Sequence, residues 1–266
     1  MSRAPGASTF HASGAAYDSF MGRYANRLGD LFADFAGVSP GTGQFALDVG
    51  CGPGALTRAI VARLGPDAVS AFDPSPQFVA DCAANCPGVD VRLGRAEAMP
   101  FDEARFDVAL AQLVLHFVSD PATAASELRR VVRPGGSAAA CVWDFDGGMQ
   151  MLRHFWDAAL TVDPEAPDEA RVMRFGRPGE IVDLFDGAGF EHATETTLEV
   201  TVAYTGFDEL WSGFLAGVGP AGSYCLSLDD EHRTAVRHEL FRRIGEPSGP
   251  FALSATARSV RGRRPL

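Results

Sequence analysis

Residues 46–54 read ALDVGCGPG, a short apolar run that meets three glycines within five positions. Glycines placed there admit positive φ and let a ligand sit against bare main chain. The stretch that follows, ALTRAIVARLG, has a helical pattern and would turn its free N–H groups toward an anionic end of that ligand. A strand, a glycine loop and a helix in direct succession constrain the chain to an α/β arrangement around a nucleotide-like cofactor.

The same rhythm repeats. Apolar runs at 44–49, 69–72, 89–93, 106–111 and 137–143 read as strands, and 55–64, 75–85 and 121–132 read as helices, the last ending at RPGG. Strands alternating with helices imply a parallel sheet wound on both faces. Arg129, Arg130 and Arg133 fall at the C-terminal end of the third helix, where they complement its dipole and read as structural. Upstream, residues 15–38 space Tyr17, Phe20, Met21, Leu28, Leu31 and Phe32 as a helix. Downstream come a helix near 149–160, a helix in RPGEIVDLFDGAGF stopped by Gly187 and Gly189, a strand near 192–203 and a closing strand at 251–262. The long connection before that last strand, at about 204–248, reads as a functional insertion. The division expected is an N-terminal helical cap at 1–40 and one domain over 41–266.

Composition removes several function classes. A net charge of −11 disfavours nucleic acid, whose binding needs Lys and Arg to displace counterions. The chain has no lysine, so neither Schiff-base chemistry on a lysine nor a P-loop lysine is available. Cys51, Cys82, Cys86, Cys141 and Cys225 form no C-x-x-C and suit a reduced compartment; Cys82 and Cys86 share a helix face. The six histidines show no metal-binding spacing, and no metal is expected. With no 18-residue apolar span and no signal-like N-terminus, the reading is cytoplasmic, without membrane insertion.

The glycine loop alone fits two cofactors. Gly50, Gly52 and Ala55 satisfy G-x-G-x-x-G/A, with Asp73 about 20 residues on to hold a ribose, as in a dinucleotide-dependent oxidoreductase. Asp48, however, extends the loop to D-x-G-x-G-x-G through Gly54, Pro53 lies inside it, GRAEAMPF follows the third strand and FDVALAQLVLHFVSD forms the fourth. With these motifs, residues 17–145 resemble the class I S-adenosylmethionine-dependent methyltransferases, particularly the small-molecule group related to ubiquinone and menaquinone biosynthesis. The resemblance implies a Rossmann-like doubly wound seven-stranded sheet, in order 3-2-1-4-5-7-6 with the last strand antiparallel, an N-terminal helical lid and the insertion covering the acceptor. It also implies S-adenosylmethionine as cofactor and S-adenosylhomocysteine as product.

Residue roles follow from the same resemblance. Gly50, Gly52 and Gly54 would admit the methionine part of the cofactor, with Asp48 near its amino group. Asp73 would accept from the ribose hydroxyls, Pro74 would lie by the adenine, and Ala96 and Glu97 would meet the adenine edge. Gln112 and Leu113 would run along the methionine chain. From the N-terminal segment, Arg23 would pair with the cofactor carboxylate while Tyr17 and Met21 pack near the sulfonium. His116 reads either as a general base, since histidine titrates in the useful range, or as a structural histidine. Trp143 and Phe145 end the fifth strand and would face the acceptor; Trp211 in the insertion suits an aromatic or apolar pocket. Asp144 and Asp146 offer only two ligands toward a metal. The arginine-rich end, RSVRGRR, reads as a docking patch or, in preference, as a solvated strand and tail. The function expected is methyl transfer to an O, N or C atom of a small, fairly apolar acceptor. A protein methyltransferase and an NAD-dependent oxidoreductase are the alternatives.

Overall fold

In the computed structural model of the protein, residues 18–266 are described. Seven strands form one sheet: β1 (Ala46–Val49), β2 (Val69–Asp73), β3 (Asp90–Leu93), β4 (Phe106–Gln112), β5 (Val132–Trp143), β6 (Glu191–Tyr204) and β7 (Phe251–Arg263). Their order is β3-β2-β1-β4-β5-β7-β6, with β7 antiparallel to both neighbours and the first five parallel. This is the order and strand sense that the resemblance implied.

The sheet is buried on both faces, and its strands divide between them by parity. Ala46, Val108, Leu110, Ala139, Cys141 and Trp143 belong to one core, and Leu47, Ala109, Ala111, Ala138, Ala140 and Val142 to the other. That is the two-residue period of a strand with helices on each side. The first core is closed by α1 (Arg23–Ala36), α2 (Ala55–Leu64) and α5 (Gln150–Val162), the second by α4 (Pro121–Val131) and α6 (Glu180–Gly187). Leu28 and Phe32 of α1 are fully buried, worth about 1.5–3 kcal/mol each in transfer from water. The smaller α3 (Pro76–Asn85) packs Cys82 and Cys86 against Cys51 and Ala71.

Helix starts follow local chemistry. Ser75 and Asp120 cap α3 and α4 by accepting the N–H groups of Phe78 and Thr123, and each is followed by a proline at the first helical position. Between β6 and β7 lie α7 (Phe207–Leu215), α8 (Gly219–Ser227) and α9 (Asp230–Arg243). Phe214 of α7 stacks on Phe155 of α5 at 4.3 Å and meets Phe20 edge-on at 5.1 Å. The hydroxyls of Tyr24 and Tyr204 are 2.9 Å apart. These contacts tie the N-terminal segment, α5 and the late helices into one body above the sheet.

Three local readings change. The helix expected at 15–38 is, within the described residues, a π-helical turn at Asp18–Gly22 followed by α1, which Gly37 ends in the left-handed conformation. β5 begins at Val132 rather than 137, with a register shift against β4 that takes up the RPGG stretch. The arginine-rich end is a strand on which Arg261 and Arg263 are exposed, as the preferred reading expects, but several of its guanidinium groups are engaged. Arg258 pairs with Asp144 at 3.0 Å, Arg263 donates to the Gly135 carbonyl, and Arg264 donates to the carbonyls of Arg129, Arg130 and Val132 and to Glu103. Arg264 thus satisfies carbonyls left open at the end of α4. Arg264→Ala is expected to cost about 2 kcal/mol of stability, read as a lower urea midpoint at unchanged slope; a shift under a quarter of that size would contradict this role.

Candidate functional site

The sheet order reverses between β1 and β4, and wound sheets bind ligands at that point, beyond the carboxyl ends of the strands. A cavity of about 370 Å³ opens there. Its wall is built strand by strand: Asp48 and the loop Gly50–Pro53 from β1, Asp73 to Ser75 from β2, Arg95 to Glu97 after β3, and Gln112 to Val114 from β4. Of the residues to which sequence reasoning gave a cofactor role, Asp48, Gly50, Gly52, Asp73, Pro74, Ala96, Glu97, Gln112 and Leu113 line this cavity.

The loop conformation depends on glycine. Gly50 has φ +70°, and a Cβ there would stand 2.6 Å from a Val114 methyl carbon. Gly54 has φ +95° and faces the sulfurs of Cys86 and Cys82 at 3.2 and 3.3 Å from an added Cβ. Asp73 braces the loop from below: its Oδ2 accepts the Gly52 N–H at 3.0 Å and its Oδ1 accepts the Ser75 N–H at 2.9 Å. Burial pushes its pKa up, and those two N–H groups oppose the shift. Asp48 is fully buried and accepts from the Thr57 hydroxyl at 2.6 Å; burial pushes its pKa to about 8. Glu97 accepts the N–H groups of Ser119 and Asp120. Gln112 donates to the Ala25 carbonyl, while its Oε1 is buried and has no protein partner.

Leu113 adopts φ +62°, a left-handed conformation that costs a branched side chain about 1–2 kcal/mol. It is held there by its N–H on the Cys141 carbonyl at 2.9 Å. Leu113 and Phe117 also line a second, smaller cavity of about 40 Å³ that adjoins the first. Met21, Trp143 and Phe145 lie on this second wall, as do Phe20, Leu152 and Glu169. Glu169 carried no signal in the sequence, where it sits in a Pro- and Asp-rich stretch without a motif.

Other candidates fall elsewhere. Tyr17 lies outside the described residues. Arg23 is engaged with Glu209 at 2.7 Å and the Ala203 carbonyl at 2.7 Å, above the Tyr204 ring, and lines neither cavity. Trp211 is buried against Phe214 and also lines neither. His116 is wholly buried between the rings of Phe117 and Phe145 and lines neither cavity. Burial drives its pKa down to about 3 against the opposing Arg174 backbone, too low for an effective base near neutral pH. The geometry favours the structural reading of His116 over the base reading. Asp144 spends its carboxylate on Arg258 and on the N–H groups of Asp146 and Gly147. Among the described residues, no three His, Cys, Asp or Glu side chains are grouped to hold a metal ion, and no helix is long and apolar enough to cross a membrane.

Residues 47–140 match the family described as a methyltransferase domain. The chain is 31% identical over 185 residues to a malonyl-[acyl-carrier protein] O-methyltransferase of Herminiimonas arsenicoxydans, covering 69% of this chain and 65% of that protein. It is 29% identical over 201 residues to the human mitochondrial arginine-hydroxylase NDUFAF5, covering 72% of this chain and 54% of that one. Among solved structures, a phosphoethanolamine N-methyltransferase 2 of Haemonchus contortus in complex with S-adenosyl-L-methionine superposes with a TM-score of 0.55 at 13% identity, over 90% of this chain and 53% of that chain. Curated relatives at 37–40% identity are matched over only 31–42% of their own length. The matched segment coincides with the strands and loops that build the larger cavity, and the chain carries a class I S-adenosylmethionine-dependent methyltransferase domain.

Proposed function

We propose that the protein transfers the methyl group of S-adenosylmethionine to a small, fairly apolar acceptor. The observation that carries this reading is the pair of adjoining cavities that share Leu113 and Phe117. One is walled by glycine-loop backbone and carboxylates at the strand ends, the other by Phe20, Met21, Trp143 and Phe145 beneath the late helices. The first fits the cofactor. The bare backbone at Gly50 and Gly52 suits the amino-acid end, Asp48 suits its ammonium, and Asp73 keeps lone pairs free for ribose hydroxyls beyond the two N–H groups it accepts. The unpartnered Gln112 Oε1 is a further acceptor on this wall.

When bound, the cofactor supplies an activated methyl on a sulfonium. The chain's own work is alignment and exclusion of water. Leu113 and Phe117, at the junction, are positioned to separate the cofactor from solvent and to hold the acceptor in line. The apolar second wall favours a small molecule over an extended polypeptide.

Asp48 makes cofactor affinity pH-dependent. Its buried carboxyl is protonated below about pH 8, and a cationic ligand favours the ionised form. Binding should therefore release a proton, and affinity for S-adenosylhomocysteine should rise from pH 6 to pH 8 by up to about tenfold per unit. Calorimetry in buffers of different ionisation enthalpy checks this; a pH-independent affinity would remove Asp48 from the ammonium site. The reaction itself is tested by supplying labelled S-adenosylmethionine to an extract of the source cells. Label in the dialysable fraction supports the reading, whereas label confined to protein replaces the acceptor class.

A further inference from the structure

The second cavity holds a polar pair in an otherwise apolar wall. Among the described residues, Glu169 is the only ionisable side chain on it, 4% exposed, in a short turn of helix at Glu169–Arg171. Its Oε2 accepts the Trp156 indole N–H at 2.8 Å, which fixes the carboxylate, and Oε1 has no protein partner among the described residues. Trp143, on the same wall, keeps its indole N–H buried without a partner. A carboxylate with an oxygen to spare in an otherwise apolar wall points to a ligand with a polar hydrogen that it can accept.

We propose that Glu169 is the general base of this cavity and that the acceptor is a hydroxyl-bearing apolar molecule, an alcohol or phenol. This rests on the methyltransferase reading above. A hydroxyl in this cavity can donate to Glu169, and an oxygen acceptor is the kind that gains from a base because its proton must leave. In the transfer, the acceptor O–H bond breaks and its proton passes to Glu169 Oε1. The oxygen lone pair forms the new O–CH3 bond, and the S–CH3 bond breaks with its electron pair retained by sulfur, which leaves as a neutral thioether. Glu169 then returns the proton to solvent.

The electrostatics agree. Burial pushes the Glu169 pKa up to about 7, with the Asp168 carboxylate adding to the rise and the Trp156 N–H opposing it. Asp168 is itself held by Arg153 of α5 at 3.0 Å, and the facing segment Val218–Ala221 brings no charge. A carboxylate poised near neutrality is a far better base than an ordinary one.

The test compares wild type with Glu169→Gln, whose amide oxygen still accepts from Trp156, using labelled S-adenosylmethionine and the small-molecule fraction of a cell extract. The methyl in the product should be bonded to oxygen, as read by carbon NMR. Turnover in Glu169→Gln should fall by about 10²–10⁴-fold while S-adenosylhomocysteine affinity and the thermal midpoint at pH 8 are retained. The wild-type rate should rise through an apparent pKa near 7 that the variant lacks. A product methylated on nitrogen or carbon, or a variant that turns over within threefold of wild type with the same pH profile, overturns the proposal. So does the absence of any labelled small molecule when S-adenosylhomocysteine binds. Failure of S-adenosylhomocysteine to bind the wild type would instead strike the methyltransferase reading beneath it.

Discussion

Asp73→Ala should weaken S-adenosylhomocysteine binding by about 100-fold or more while the chain stays folded. The carboxylate serves two ends at once. It lines the cavity where a ribose would present its hydroxyls, and it pins the Gly52 and Ser75 N–H groups that shape the loop after β1 and the start of α3. Removing it loses the acceptors offered to the ligand and frees the loop that meets the ligand's other end. Each hydrogen bond to a charged group is worth about 1.5–3 kcal/mol, so two lost acceptors amount to about 100-fold or more. Asp73→Asn, which keeps one acceptor oxygen, should fall between. Calorimetric titration decides it, and an Asp73→Ala protein that binds within threefold of wild type would be inconsistent with this geometry.

The second large effect is Gly50→Val. At φ +70° a β-branched residue is strained, and its Cβ would meet Val114 at 2.6 Å, on the wall between loop and β4. Backbone strain and overpacking together should cost about 2–5 kcal/mol, visible as a lower urea midpoint. Cofactor binding should be lost even under conditions where the variant remains folded, since the loop must shift to relieve the clash. Gly147→Ala is the matched control: no atom lies within 4 Å of its added Cβ and its φ is not in the left-handed range. It should stay within about 0.5 kcal/mol of wild type. Equal effects of the two substitutions would show that the loop's conformation is not what matters.

How far the sequence reached depends on how local each feature is. The five parallel strands and their helices were legible because each is a short run with its own period and its own cap or glycine stop. Asp48, Asp73 and Glu97 were legible because a wound sheet sets its ligand-facing groups at strand ends, where motif position in the sequence is position in space. Features made by distant chain were not. Arg23 meets Glu209, 186 residues away, across packing that no local pattern encodes. Arg264 looked like a free tail, and only the antiparallel return of β7 brings it to the end of α4. His116 sits beside a strand end as motif reasoning required, yet the rings of Phe117 and Phe145 enclose it. Glu169 lines the smaller cavity and bonds Trp156 of α5, thirteen positions earlier, from a stretch without any motif.

The central claim is that the cavity at the β1–β4 reversal is a site for S-adenosylmethionine. Its most direct measurement is a calorimetric titration of the purified wild-type and Asp73→Ala proteins with S-adenosylhomocysteine and, separately, with NAD. The account predicts one S-adenosylhomocysteine per chain, binding lost in the variant, and no heat from NAD. Saturable binding of NAD in place of S-adenosylhomocysteine, or S-adenosylhomocysteine binding indifferent to Asp73, would contradict it.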